Sequence, residues 1–310
     1  MKRVIVSGMP RSGTSWTAKA LSFAPGFTYY REPDNSDHVP GAPGPDYWNL
    51  YLKAGDDHPL YQAHMDRALS GQVATSFTMK EDQGPLIERL PPRLRGLGDR
   101  WPALYMRKPH VLVKLIRANL TLDWLAARYP EARIVSLVRH PVGQFASYQK
   151  LGWDVDPTSL LNDDRLVSEH LAPFADLIRS AGTFWERAGA LWGATMRVAY
   201  RQAAQGAGYH VVPFEWLCAD GPARLEALSD RLDMAWTPAA SQFAEPERGA
   251  EEGSAYSLRR DSRSQIDKWR KFIAPEDIEA CRAFAEPFGV PVYDGFDPWK
   301  AEPIWSGTPR

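Results

Sequence analysis

Val4-Ile5-Val6-Ser7-Gly8-Met9-Pro10-Arg11-Ser12-Gly13-Thr14-Ser15-Trp16 is the stretch on which the fold turns. Its apolar, β-branched start predicts a short buried strand, and Gly13 to Phe23, stopped by Pro25-Gly26, predicts the helix that follows. Between them Gly8 and Gly13 keep the G-x-x-x-x-G spacing of a phosphate loop, in which backbone N–H groups and the positive end of a helix converge on an anion. The triphosphatase form of this loop places a lysine directly after the second glycine, where it reaches the β and γ phosphates. Thr14 stands there instead, and Arg11 is the cation inside the loop. A loop of this shape without that lysine points to a nucleotide with no γ phosphate to hold. The bland alternative is a Ser/Thr helix cap with no ligand, which the apolar strand and the glycine spacing disfavour.

The pattern repeats along the chain. Val111–Leu115, Ile134–Val138 and Tyr209–Val212 are further short apolar runs, each followed by a helical pattern, and Tyr29–Pro33 reads as the segment after a second strand. Strands alternating with helices require crossover connections, so the fold class is α/β: a doubly wound parallel sheet flanked by helices. Ligands of such sheets sit at the carboxyl ends of the strands, and both Gly8–Gly13 and Arg139 fall there, placing two phosphate sites on one rim. A chain of 310 residues with 44% hydrophobic content can bury a full core, and one domain over 1–310 with insertions is expected. Residues 31–109 break the rhythm with Pro, Gly, Asp and aromatics and read as an insertion, with helical patches around Tyr47–Lys53 and Leu60–Leu69. Leu151–Asp164 reads as a surface loop. Thr183–Gln202 reads as a long helix whose core face carries Phe184, Ala188, Leu191, Trp192, Thr195 and Ala199.

Composition narrows the partners. A formal net charge of −1 argues against nucleic acid as an electrostatic partner of the whole chain. Cys218 and Cys281 are too few for a disulfide framework and have no ligand spacing, which fits two buried thiols in a reducing compartment. His58, His64 and the other histidines have no metal-ligand spacing with nearby carboxylates, so no metal is expected. Lys2-Arg3 precede only three apolar residues before the loop, too few for a signal peptide, and no uncharged apolar run approaches membrane-spanning length. The expectation is a cytoplasmic protein with no membrane span, with a homodimer as the default assembly.

Three motifs, in order, resemble the sulfotransferases that use 3′-phosphoadenosine 5′-phosphosulfate (PAPS), and the Arg at position 11 is similar to their carbohydrate and bacterial branches. Pro10–Trp16 is similar to the family's loop for the 5′ phosphosulfate. Arg133-Ile134-Val135-Ser136-Leu137-Val138-Arg139-His140-Pro141, with Ser147 eight residues past Arg139, resembles its strand, turn and helix for the 3′ phosphate. Ser257–Arg270 looks like the late basic loop that closes over the nucleotide. The resemblance implies PAPS as donor cosubstrate, held by Arg11, Ser12, Gly13, Thr14, Ser15 and Trp16, by Arg139 and Ser147, and by Ser262, Ser264 and Lys268 within a closing loop over 253–272. Insertions near the rim of a doubly wound sheet often form an acceptor pocket or its lid, which makes residues 31–109 the acceptor side, and the acceptor is expected to be a hydroxyl on a carbohydrate, glycolipid or secondary metabolite.

Sulfuryl transfer to a hydroxyl needs an in-line approach, a base for the proton, and cations for the charge that develops. The family's small-molecule branch carries Lys where Arg11 stands, but a fixed cation with aimed donors suffices. That branch draws its base from a His shortly after a Lys-Thr pair on a strand; Val113-Lys114-Leu115-Ile116-Arg117 has no His. Tyr29-Tyr30-Arg31-Glu32-Pro33 resembles the point where the other branches place a Glu, so Glu32 is the candidate base, expected to carry a modestly raised pKa through partial burial or a bond to the acceptor hydroxyl. Arg31 equally offers it a structural ion pair. Lys114 is a candidate to approach the transferred group or to pair with a carboxylate. His140 reads as a turn residue and Trp269 as packing. Two rivals stay open. A P-loop nucleotide kinase or triphosphatase is disfavoured by Thr14 and by Arg139 where a magnesium-holding Asp would end a strand. A non-catalytic relative would bind nucleotide and transfer nothing.

Overall fold

The computed structural model describes residues 1–44, 47–81, 91, 94, 107–245 and 261–307. Its centre is a sheet of five strands, β1 (Arg3–Ser7), β2 (Phe27–Arg31), β3 (His110–Leu115), β4 (Ala132–Val138) and β5 (His210–Pro213), in the order β2-β3-β1-β4-β5. Every pair is parallel, with Val6 opposite Lys114 on one side and Val135 on the other, and Arg31 opposite Lys114. Tyr29 to Arg31 therefore lies inside β2, not after it, and Glu32 is the first residue beyond the strand.

Alternation along the strands divides the core in two. Val4, Val6, Tyr29, Leu112, Val135, Leu137 and Val212 share one face with helix α1 (Thr14–Leu21). Ile5, Tyr30, Val111, Val113, Ile134 and Val211 share the other with α2 (Pro59–Leu69), α3 (Leu122–Arg128), α4 (Pro141–Lys150) and α5 (Phe184–Ala204). Beyond β5 come α6 (Phe214–Ala219), α7 (Gly221–Arg231) and α8 (Pro238–Ala244), and α9 (Pro275–Ala285) packs on α5. Each fully buried aliphatic side chain contributes about 1.5–3 kcal/mol, so strands buried on both faces form a rigid platform for the loops at their carboxyl ends. The long helix is anchored at its start by a capping box, in which Thr183 and Glu186 each bond the other's backbone N–H. Ala188, Trp192, Thr195 and Ala199 are buried along it, as the core-face reading expects. Cys218 and Cys281 are buried free thiols.

A further expectation fails. Tyr47–Lys53 forms no helix: a short turn from Tyr47 gives way to irregular backbone. Bonds outside the helical pattern, two of them long-range, hold this segment open. Leu52 N–H bonds to Leu120 O, Lys53 N–H to Asp56, and Tyr51 reaches across to Glu169. Leu151–Asp163 is a loop apart from one 3₁₀ stretch, Thr158–Asn162, and Asp164 already opens a short helix, Asp164–Leu166. Much of the second half of the 31–109 insertion, and residues 253–260 of the late loop, lie outside the described residues. Among the described residues no helix is long and apolar enough to cross a membrane.

Candidate active site

The strand order brings the candidate groups to one rim in a fixed sequence: Glu32 after β2, Lys114 near the end of β3, the glycine loop after β1, Arg139 after β4, and Phe214-Glu215 after β5. The glycine loop has no freedom at its second glycine. Gly13 caps α1 with φ 92°, and a Cβ there would lie 2.2 Å from the Phe214 ring. No side chain caps α1, so its first-turn N–H groups are not claimed as a plain Ser/Thr cap would claim them. Ser12 Oγ is buried without a hydrogen-bond partner, and Thr14 is buried beside it. Arg11 holds φ 68°, a conformation that costs a non-glycine residue on the order of 1 kcal/mol or more.

Lys114 and Glu32 form an ion pair at one end of the rim. Lys114 follows Leu112 on the α1 face of β3, so its ammonium rises beside the first turn of α1. There Nζ donates to Ser15 Oγ at 2.8 Å and to Glu32 Oε1 at 2.5 Å. Glu32 sits at φ 46°, its N–H bonded to Lys114 O at 2.8 Å, so the strand end turns its carboxylate back over β3. Asn35 Nδ2 donates to the second oxygen, Oε2, at 2.9 Å, and Arg31 Nε lies 3.7 Å from Oε1. Burial acts to raise the Glu32 pKa, but the charge and hydrogen bond of Lys114, the Asn35 donor and Arg31 outweigh it and hold the carboxyl below its ordinary range. The expected upward shift is thus reversed, because the sequence does not reveal that Lys114 is the partner. Burial pulls the Lys114 pKa down, against the pull of Glu32.

The basic end joins residues that the sequence assigns to separate phosphates. Arg11 Nε donates to Ser147 Oγ at 2.8 Å, and Arg139 Nη1 donates to Arg11 O at 3.1 Å. The Arg139 guanidinium lies 4.9 Å over the Phe214 ring, with Nε 4.0 Å from Glu215. Glu215 is fully buried and accepts from His140 N at 3.0 Å and from Tyr293 Oη at 2.6 Å. Gln144 donates to Pro10 O at 3.1 Å, tying α4 to the glycine loop. His140 does open the turn into α4, but its ring is buried, stacked on Trp269 with centroids 4.9 Å apart.

The family model for the Sulfotransferase family matches residues 3–238, which takes in the whole rim from the glycine loop to Glu215. The chain belongs to the sulfotransferase family. No curated protein sequence matches it significantly. Similar solved structures include the sulfotransferase domain of the Synechococcus PCC 7002 olefin synthase, at 17% identity and TM-score 0.44, covering 92% of this chain and 94% of that one. A sulfotransferase from Alicyclobacillus acidocaldarius is similar at 18% identity and TM-score 0.38, covering 92% and 96%. Mouse sulfotransferase SULT7A1 complexed with PAP is similar at 12% identity and TM-score 0.38, covering 91% and 82%.

In this sulfotransferase the late segment, beyond the matched residues, packs against the rim. Ser262 is buried near Gly221 and Trp16, Trp269 is buried, and Lys268 is half-buried on the 3₁₀ turn Lys268–Lys271. Ser264 is exposed and donates to Asp261 O. Trp16 meets Phe214 edge to face at 5.9 Å. Three residues of the site escaped the sequence reading: Asn35, Asp34 and Glu215. Asp34 is buried, with Oδ2 accepting from the N–H groups of Ile116 and Arg117, and burial foremost raises its pKa to about 6. The available signal for Glu215 was its place two residues past the apolar strand β5.

Proposed function

We propose that this sulfotransferase moves a sulfuryl group from PAPS to a hydroxyl of a carbohydrate, glycolipid or secondary metabolite, with Glu32 as the base. The observation that carries the reading is the Lys114 ammonium, bonded at once to Ser15 in the first turn of the donor helix and to Glu32. The donor loop and the base thereby meet on one buried cation. Two features fit an anionic group in the loop: the partnerless Ser12 hydroxyl and the absence of a side-chain cap on α1.

PAPS supplies, when bound, an activated sulfuryl group on a nucleotide leaving group. Arg11, Ser12, Thr14, Ser15, Trp16 and the N–H groups around Gly13 would hold its 5′ end, and the forked guanidinium of Arg139 with the hydroxyl of Ser147 would hold the 3′ phosphate. Ser262, Ser264 and Lys268, in the closing loop over 253–272, cover the nucleotide. Glu32, kept ionised at neutral pH, takes the proton of the acceptor hydroxyl. Lys114 and Arg11, neither requiring a metal, balance the negative charge that builds on the bridging oxygen. Residues 31–109 form the acceptor side of a single domain acting in the cytoplasm.

Calorimetric titration with adenosine 3′,5′-bisphosphate and, separately, with magnesium ATP tests the donor assignment without knowledge of the acceptor. Binding of the bisphosphate alone is expected; a preference for ATP would return the chain to the nucleotide kinases. Transfer from PAPS to a panel of hydroxylated acceptors, by the wild type and by Glu32→Gln, then tests the base. A protein that binds the bisphosphate tightly yet transfers to no acceptor, with or without Glu32, is a binding module.

A further inference from the structure

Both oxygens of Glu32 are engaged, one by a cation and the other by a neutral amide. Asn35 Nδ2 donates to Oε2 at 2.9 Å, and Asn35 N–H bonds back to Glu32 O at 3.1 Å, closing a turn. The orientation of that amide is imposed from its far end. Asn35 Oδ1 accepts from Asp37 N at 3.2 Å and from Arg117 Nη2 at 3.3 Å. A backbone N–H and a guanidinium can only donate, so a flipped amide would oppose donor to donor at one end and oxygen to carboxylate at the other. Arg117 is fixed in turn by Ser36 at 2.8 Å, Asp37 at 2.9 Å and the Trp48 ring at 4.0 Å. A continuous hydrogen-bonded chain therefore runs from Arg117 through Asn35, Glu32 and Lys114 to Ser15.

We infer that Asn35 is a positioning residue for the base, holding the Glu32 carboxylate in one orientation and in its ionised form. The inference rests on the reading of Glu32 as that base. With Lys114 on Oε1, a partnerless Oε2 would carry the desolvation cost of a buried charged group. A second cation there would satisfy it but further weaken the base, whereas an amide satisfies it without adding charge. The other groups acting on Glu32 are Lys114 from β3, Arg31 and Tyr29 from β2, and Asp34 on the following turn. Lys114, Arg31 and Asn35 favour the ionised carboxylate, and the charge of Glu32 in turn helps to raise the pKa of Asp34.

The test is carboxyl ¹³C NMR on protein labelled at glutamate Cδ, with the Glu32 resonance assigned by its loss in Glu32→Gln. Asn35→Leu removes the donor and keeps the volume, and is expected to move the Glu32 midpoint up by about one pH unit. Asn35→Ala leaves space for a water and is expected to move it less. Both variants should bind adenosine 3′,5′-bisphosphate as the wild type does. Wild-type midpoints in variants that still bind the bisphosphate would overturn the inference, as would loss of bisphosphate binding in both, which assigns Asn35 to the fold. Failure of the underlying reading looks different: Glu32→Gln would then transfer sulfuryl from PAPS at the wild-type rate, whatever the Asn35 variants do to the titration.

Discussion

Arg11 and Ser147 meet side chain to side chain, Nε to Oγ at 2.8 Å, across 136 residues of sequence. With Arg139 donating to the Arg11 carbonyl, the loop after β1 and the helix after β4 form one hydrogen-bonded patch. Arg139→Ala should weaken binding of adenosine 3′,5′-bisphosphate by about 2–3 kcal/mol, the scale of a charged hydrogen bond. Binding of a nucleotide without the 3′ phosphate should change far less. Calorimetry with the two ligands checks this, and equal losses would assign Arg139 to the fold.

The Lys114–Glu32 pair couples the proposed active site to the stability of the protein. Lys114→Met leaves a buried carboxylate without its counter-ion and should cost about 3–5 kcal/mol of unfolding free energy. Adding Glu32→Gln should recover much of that loss, because the uncompensated charge is then gone. Urea titrations of both single variants and the pair measure the coupling. Sulfuryl transfer should fall by about 10²–10⁴-fold in Glu32→Gln with donor affinity kept.

Glu215 holds three groups from two segments at one carboxylate: Arg139, the His140 N–H and Tyr293. Burial, opposed by Arg139, pushes its pKa up. Glu215→Gln keeps the shape but sets an NH₂ group against donors, and should cost about 1–3 kcal/mol of stability. It should also weaken the bisphosphate more than a nucleotide lacking the 3′ phosphate. Thermal melts and paired titrations read the two effects separately.

Burial foremost lowers the His140 pKa to about 3. The folded protein keeps this ring neutral while the unfolded chain takes up a proton near the ordinary histidine value of about 6.5. Folding therefore loses stability from this group as pH falls from about 6.5 toward 3, and the contribution is fully present above that window. His140→Gln should remove it. The unfolding free energy of the wild type relative to the variant should drop across that window, and chemical denaturation at a series of pH values would show a flat difference if the ring were exposed in the fold.

The strand, glycine loop and helix of residues 4–23 were legible in the sequence, as was the long helix from Thr183, because burial imposes short periods on neighbouring residues. Tyr47–Lys53 was misread as helical because its geometry is dictated by Leu120 and Glu169, residues that no local pattern connects to it, with Asp56 adding a local side-chain bond. The direction of the Glu32 pKa was misread for a related reason. Glu32 and Lys114 are 82 positions apart, and their contact exists only because β2 lies beside β3.

By itself, the sequence determined which chemical groups this sulfotransferase carries and on what kind of element each stands: a glycine loop opening a helix, an arginine ending a strand, a carboxylate following one. Those are properties of short segments, set by hydrophobic period, glycine and proline. The tertiary structure alone decided which groups touch. The order β2-β3-β1-β4-β5 places Glu32, Lys114, the loop, Arg139 and Glu215 side by side on one rim. Strand order is chosen by packing among segments far apart in the chain, and that packing settled that Lys114 holds Glu32, that Arg11 bonds Ser147, and that Asn35 has only one way to face.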